Sequence, residues 1–146
     1  MMKNEFNFTH SIIHSKGCGG FGIRNFLTLF LSIEIGKAML DVSHAKASND
    51  KGALNISQFK VDAFTEQLNE SNPILTSITD AMTQEGVALE RMQEAMRIGD
   101  DANVTKWQNE MRMAAEMKQV NNANLMELNS KYNTLMKSLR LGDATN

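Results

Sequence analysis

The sequence predicts an all-α protein, and three observations carry that reading. Its 146 residues hold one proline, few aromatics and eleven methionines among many Ala, Leu, Asn, Glu and Lys, most of them helix formers. Runs of β-branched residues are scarce. Apolar residues recur at alternating three- and four-residue spacings, the 3.5-residue average of a coiled coil. The expected architecture is a helical hairpin or coiled coil with a long C-terminal helix and an N-terminal apolar helix.

Residues 1 to 22 are rich in Asn, Ser, Thr and Gly, and read as a flexible segment that buries little. Residues 23 to 146 form the single helical domain. A first helix is predicted from 23 to about 47, with Ile23, Phe26, Leu27, Phe30 and Leu31 on a wide apolar face that Ala38, Met39 and Val42 extend, and with Gly52 as its stop. A second is predicted over 55–70 on Ile56, Phe59, Ala63, Phe64 and Leu68. Ser71-Asn72-Pro73 then reads as a break, with Asn72 capping a third helix and Pro73 at its first position. The stripe of that third helix is Leu75, Ile78, Met82, Glu85, Leu89, Met92 and Met96.

Gly99-Asp100-Asp101 is the clearest punctuation in the chain, a glycine stop followed by an aspartate cap. A fourth helix is predicted from about 102 to 141, roughly 60 Å long at about 1.5 Å per residue. Its stripe is Val104, Trp107, Met111, Ala114, Lys118, Asn121, Leu125, Leu128, Tyr132, Leu135 and Leu139. So short a turn makes the third and fourth helices antiparallel neighbours. The fourth then outruns the third, and its end from Leu125 onward calls for the N-terminal helix or another molecule as partner. Lys118 and Asn121 interrupt the stripe, and Glu85 interrupts the facing one. Either the seam changes face and Met117 and Val120 take over, or the polar step fixes register and selects a partner.

Charge and motifs bound the function. The net charge is −2 with both signs mixed, so no basic face for nucleic acid builds up. The lone Cys18 forms no internal disulfide. The stretch FLTLFLSIEI, 26 to 35, is too short to span a bilayer. Ala45-Lys46-Ala47 lies too far beyond it to be the cleavage site of a secretory signal. Gly17 to Gly22 fits G-x-G-x-x-G, but no parallel strands follow, and a glycine-rich hinge is the better reading. His10, His14 and Cys18 have ligand types at four-residue spacing, yet the glycines discourage a helix there; no metal or cofactor is expected. No local motif suggests a catalytic set, so an enzyme is not expected. The methionines suit adaptable helix packing, either as core filling or as a surface that repacks against partners.

Taken together, IRNFLTLFLSIEIGKAML, the polar run DVSHAKASNDKG and a C-terminal helix carrying VNNANL and YNTLMKSL resemble the filament proteins of bacterial type III secretion systems, the EspA-like group. The likeness covers roughly residues 21 to 60 and 88 to 141. GDDANVTKWQNEM is also similar to the needle and inner-rod subunits of such systems. A short middle region and the polar LGDATN end depart from these patterns. The resemblance implies a secreted, extracellular or cell-surface structural protein that self-assembles into a filament or needle-like conduit. Its partners would be further copies of itself, a secretion chaperone and other apparatus proteins, with no membrane span. Residues 1 to about 20 would hold the export signal. Packing residues would be Phe26, Leu27, Phe30 and Leu31 with Leu125, Leu128, Tyr132, Leu135 and Leu139, and Trp107, Met111, Lys118 and Asn121 would complete the seam. The polar step would restrain assembly before export. The competing reading is a small cytoplasmic adaptor or secretion chaperone that holds one client with the same seam.

Overall fold

A computed structural model describes the backbone of residues 20–145 and the side chains of residues 26–140. The described chain is three α-helices: α1 (Gly20–Ala47), α2 (Lys51–Ile98) and α3 (Asp101–Thr145). No strand occurs among the described residues. The glycine motif's first residues and the His10, His14 and Cys18 set lie outside them; Gly20 to Gly22 open α1.

The two turns use one device. At the first, Asp50 N–H donates to the Ala45 carbonyl at 3.0 Å and Asn49 N–H to the Lys46 carbonyl at 3.3 Å. At the second, Asp100 N–H donates to Ala95 at 2.9 Å and Gly99 N–H to Met96 at 3.3 Å. Each is a Schellman stop, and its pivot is left-handed: Asn49 at φ 53° and Gly99 at φ 76°. In each, the next residue caps the following helix. Asp50 accepts from Ala53 N–H at 3.0 Å, and Asp100 from Asn103 N–H at 3.2 Å. Gly52, expected as the stop of the first helix, instead lies in the first turn of α2. Asparagine tolerates the left-handed pivot, so the stop falls three residues earlier.

The predicted break at Asn72-Pro73 does not occur. The second and third predicted helices are one 48-residue helix with Pro73 inside it. Asn72 is an interior residue and caps nothing. Packing overrides the proline, because Ser71 and Leu75 on either side of it are 0% and 1% exposed. Ser77 Oγ donates to the Pro73 carbonyl at 3.0 Å.

With α2 unbroken, α1 and α3 both pack against it. An α1 of 28 residues, doubling back from a tight turn, covers α2 to about Ile78 at roughly 1.5 Å per residue. That half of the molecule is a three-helix bundle centred on Leu27, Leu31, Leu75, Ile78 and Leu125, with Phe30, Phe64, Leu68, Ile74, Met82 and Met126 around them. Each fully buried aliphatic side chain there contributes about 1.5–3 kcal/mol. Beyond it, α2 and α3 continue as a two-helix hairpin. A second cluster, Ala63, Tyr132 and Met136 with Leu128 and Leu139, holds the far end of α3. The end that looked partnerless in the sequence is thus covered by its own chain.

Replacing Pro73 with Ala should raise unfolding stability by about 1–3 kcal/mol in urea titration, because it restores an N–H to the helix interior and removes a ring clash.

Candidate association surface

The α2–α3 seam places most of the predicted stripe. Ala114, Leu125 and Tyr132 are buried, and Val104, Trp107, Met111, Lys118, Asn121, Leu128 and Leu139 are half-buried. One position differs. Leu135 is 36% exposed while Met136 next to it is 7% exposed. A straight α-helix drifts against a strict heptad, and by this point the drift has carried the seam one residue onward.

On α2 the seam belongs to small residues. Ala81, Ala88 and Ala95, seven apart, are at most 4% exposed, whereas Leu89 and Met96 from the predicted stripe are 39% and 61% exposed. Alanine gives no apolar signal in a stripe read for large side chains. It wins the seam because a small residue lets two helix backbones approach.

The polar positions resolve into distinct roles. Lys118 Nζ donates to Glu85 Oε2 at 3.1 Å across the two helices, with both side chains about one-third exposed. Two of the three interruptions seen in the sequence are therefore each other's partner. Asn121 does not cross the seam; its Nδ2 donates to the Met117 carbonyl of its own helix at 2.8 Å. The alternative seam through Met117 and Val120 is overturned, since those residues are 53% and 60% exposed.

A deeper polar contact was not read from the sequence. Gln67 Nε2 donates to Asn129 Oδ1 at 2.9 Å, and the two residues are 5% and 3% exposed. Asn129 Nδ2 and Asn122 Oδ1 are buried with no hydrogen-bond partner among the described residues. The signal was present as spacing, because Leu125, Asn129, Tyr132 and Met136 also step by four, three and four. Apolar Leu128 masked it.

One turn on, Tyr132 is 2% exposed and its hydroxyl donates to Glu70 Oε1 at 3.1 Å, while Lys131 Nζ stands 3.8 Å from Glu70 Oε2. Burial first, and then the hydrogen bond and negative charge of Glu70, push the Tyr132 phenol up to about 12. Near the turn, the Trp107 ring has two cations over it, with Arg91 Cζ 4.9 Å and Lys106 Nζ 4.7 Å from its centroid.

In the first helix, Leu27 and Leu31 are buried and Phe30 packs on the core they form, whereas Phe26 is 50% exposed. Where the three helices meet, Leu27, Phe30, Phe64, Gln67, Tyr132 and Met136 line a crevice of about 60 Å³. That volume suits water-sized occupants rather than a substrate. Among the described residues no cluster of three or more His, Cys, Asp or Glu could hold a metal ion. No described helix is long and apolar enough to cross a membrane. What the surface offers instead is exposed apolar side chains on α1 and on the outer sides of the hairpin.

Comparison with protein-family models, curated proteins and solved structures finds no match.

Two outcomes check the seam. Gln67→Leu or Asn129→Leu alone should cost about 1–3 kcal/mol in urea unfolding, and the double change should recover most of that loss. The phenol's folded-state pKa lies above its unfolded value near 10, so its contribution is complete below about pH 10 and is lost as pH rises toward 12. Stability should therefore fall over that interval more in the parent than in Tyr132→Phe. Tyrosinate absorbance follows the group directly, because the chain has one tyrosine.

Proposed function

We propose that this chain is a structural subunit that self-associates through its helices, of the kind that type III secretion systems export to the bacterial surface. A secretion chaperone would cover its exposed apolar faces before export, and other apparatus proteins would receive it. The observation that carries this reading is the distribution of exposed apolar residues. Leu29, Ile33, Met39 and Leu40 on α1, and Met96, Ile98, Met113, Met117 and Val120 along the two-helix hairpin, are 48–61% exposed. Exposed apolar residues concentrated on particular faces mark association surfaces. The resemblance of the N- and C-terminal helices to the filament group supplies the choice of system. In this reading assembly uses outer faces, because the seam from Leu125 to Leu139 is filled within the chain.

In the second reading, a cytoplasmic adaptor or secretion chaperone, the client would have to sit on an outer face as well, because the Gln67–Asn129 and Tyr132–Glu70 contacts close the α2–α3 seam inside one chain.

Light scattering of the full chain against concentration separates the two. The subunit reading expects assemblies that grow with concentration and shrink in Met117→Glu/Val120→Glu at unchanged helicity. It also expects residues 1–25 to direct a reporter through a type III apparatus. A monomer at every concentration, with a reporter that stays in the cytoplasm, would favour the adaptor.

A further inference from the structure

Helix α1 is apolar on two faces. Its inner face presents Leu27, Leu31, Ala38 and Ala45, all buried against the rest of the chain. Its outer face presents Leu29, Ile33, Met39 and Leu40, which are 58%, 48%, 58% and 57% exposed. Half-exposed Phe26 continues this face toward the N-terminus. Two apolar faces on one helix call for cover on both. Among the described residues, the chain covers one side of α1.

The outer residues are ordered. Leu29, Ile33, Gly36 and Leu40 follow one another at four, three and four, the spacing of a helix–helix seam. A Cβ added at Gly36 would meet nothing within 4 Å, so the stripe has an open hole at that point. The exposed residues of the hairpin differ. They are shared between two helices, whereas the α1 stripe lies on one helix and is flanked by the Glu34–Lys37 pair.

We infer that the outer face of α1 is a homodimer interface, on which a second copy of the chain lays its own α1 antiparallel. The inference rests on the self-associating reading above and names its first contact. Half-exposed side chains of this size leave on the order of 100 Å² each, so the face offers about 500 Å² per copy and ~1,000 Å² per pair, the lower bound of a specific interface.

Charge sets the direction. A parallel pair would stack Lys37 on Lys37 and Asp41 on Asp41 of the second copy. An antiparallel pair that sets Ile33 against Gly36 of the second copy also sets Leu29 against Leu40. It brings Lys37 level with Ser32 and Asp41 level with Thr28, so no like charges meet. The helix dipoles then oppose one another favourably. Ile33 of each copy enters the hole above Gly36 of the other, in the knobs-into-holes manner.

Sedimentation equilibrium of the full chain tests this against two variants. Leu29→Glu/Ile33→Glu should weaken the dimer at least tenfold with helical circular dichroism unchanged, since both residues are exposed in the monomer. Met117→Glu/Val120→Glu should shrink larger assemblies to this dimer and no further. Direction is read with Cys18→Ser chains carrying either Leu29→Cys or Leu40→Cys. Oxidation should join the two kinds when mixed and leave Leu29→Cys chains unjoined to one another. Undiminished self-association when Leu29→Glu/Ile33→Glu is added to Met117→Glu/Val120→Glu would overturn the interface and leave self-association standing. A full chain that is monomeric throughout would overturn both. Leu29→Cys chains that join to themselves would overturn the antiparallel direction. A monomer that binds neutral lipid vesicles and loses that binding in Leu29→Glu/Ile33→Glu would assign the face to a membrane surface instead.

Discussion

A proline inside a helix removes one N–H and presses its ring toward the carbonyl four residues back, at a cost of about 3 kcal/mol. At Pro73 this cost falls in the middle of the longest helix, and burial on both sides offsets it. Leu75 and Ile78 follow it into the three-helix core, and Ser71 precedes it with its hydroxyl donating to the Gln67 carbonyl at 2.6 Å. Continuity of α2 decides the rest. It gives α1 a surface to double back on, and it gives the far end of α3 a partner in the same chain.

The α2–α3 interface is graded along its length. Toward the turn, Ala88, Ala95 and Ala114 form a close seam of small side chains, flanked by Trp107 with its two cation contacts. In the middle, Glu85 and Lys118 face each other in partial contact with water. Toward the far end, the buried Gln67–Asn129 amide pair and the Tyr132–Glu70 bond sit beside the large apolar core. An apolar seam alone tolerates a slide by a heptad. A slide here would separate three specific polar pairs and bury some of their groups unpaired, so these pairs set the register.

Much of the fold was legible in the sequence. The three-four spacing in the last helix and the Gly99-Asp100 turn gave the hairpin, and the bounds of α1 were close. Three features were not legible, each for a physical reason. The break at Pro73 was expected because local propensity disfavours interior proline, while the burial that overrides it is non-local. The alanine seam on α2 escaped a reading that weights side chains by apolar size, although Ala81, Ala88 and Ala95 repeat every seven residues. The stop at Asn49 escaped because Gly52 is the commoner signal and Asn49 is the residue that pivots. For the surface, the sequence marked the apolar character of α1. Which of its residues face outward depends on α2 lying against Leu27 and Leu31, and that needed the fold.

The two turns also set how the chain finds its structure. Each stop-and-cap device is complete within about ten residues, so it forms without any long loop closing. From the Gly99 pivot, contacts can close in order of growing separation, with Glu85–Lys118 at 33 residues before Gln67–Asn129 at 62. A second zipper starts at Asn49, and both run along α2. Low contact order favours rapid folding. Because the two zippers meet in one core of Leu27, Leu31, Leu75, Ile78 and Leu125, neither hairpin completes its burial before the other, and the two become a single cooperative unit.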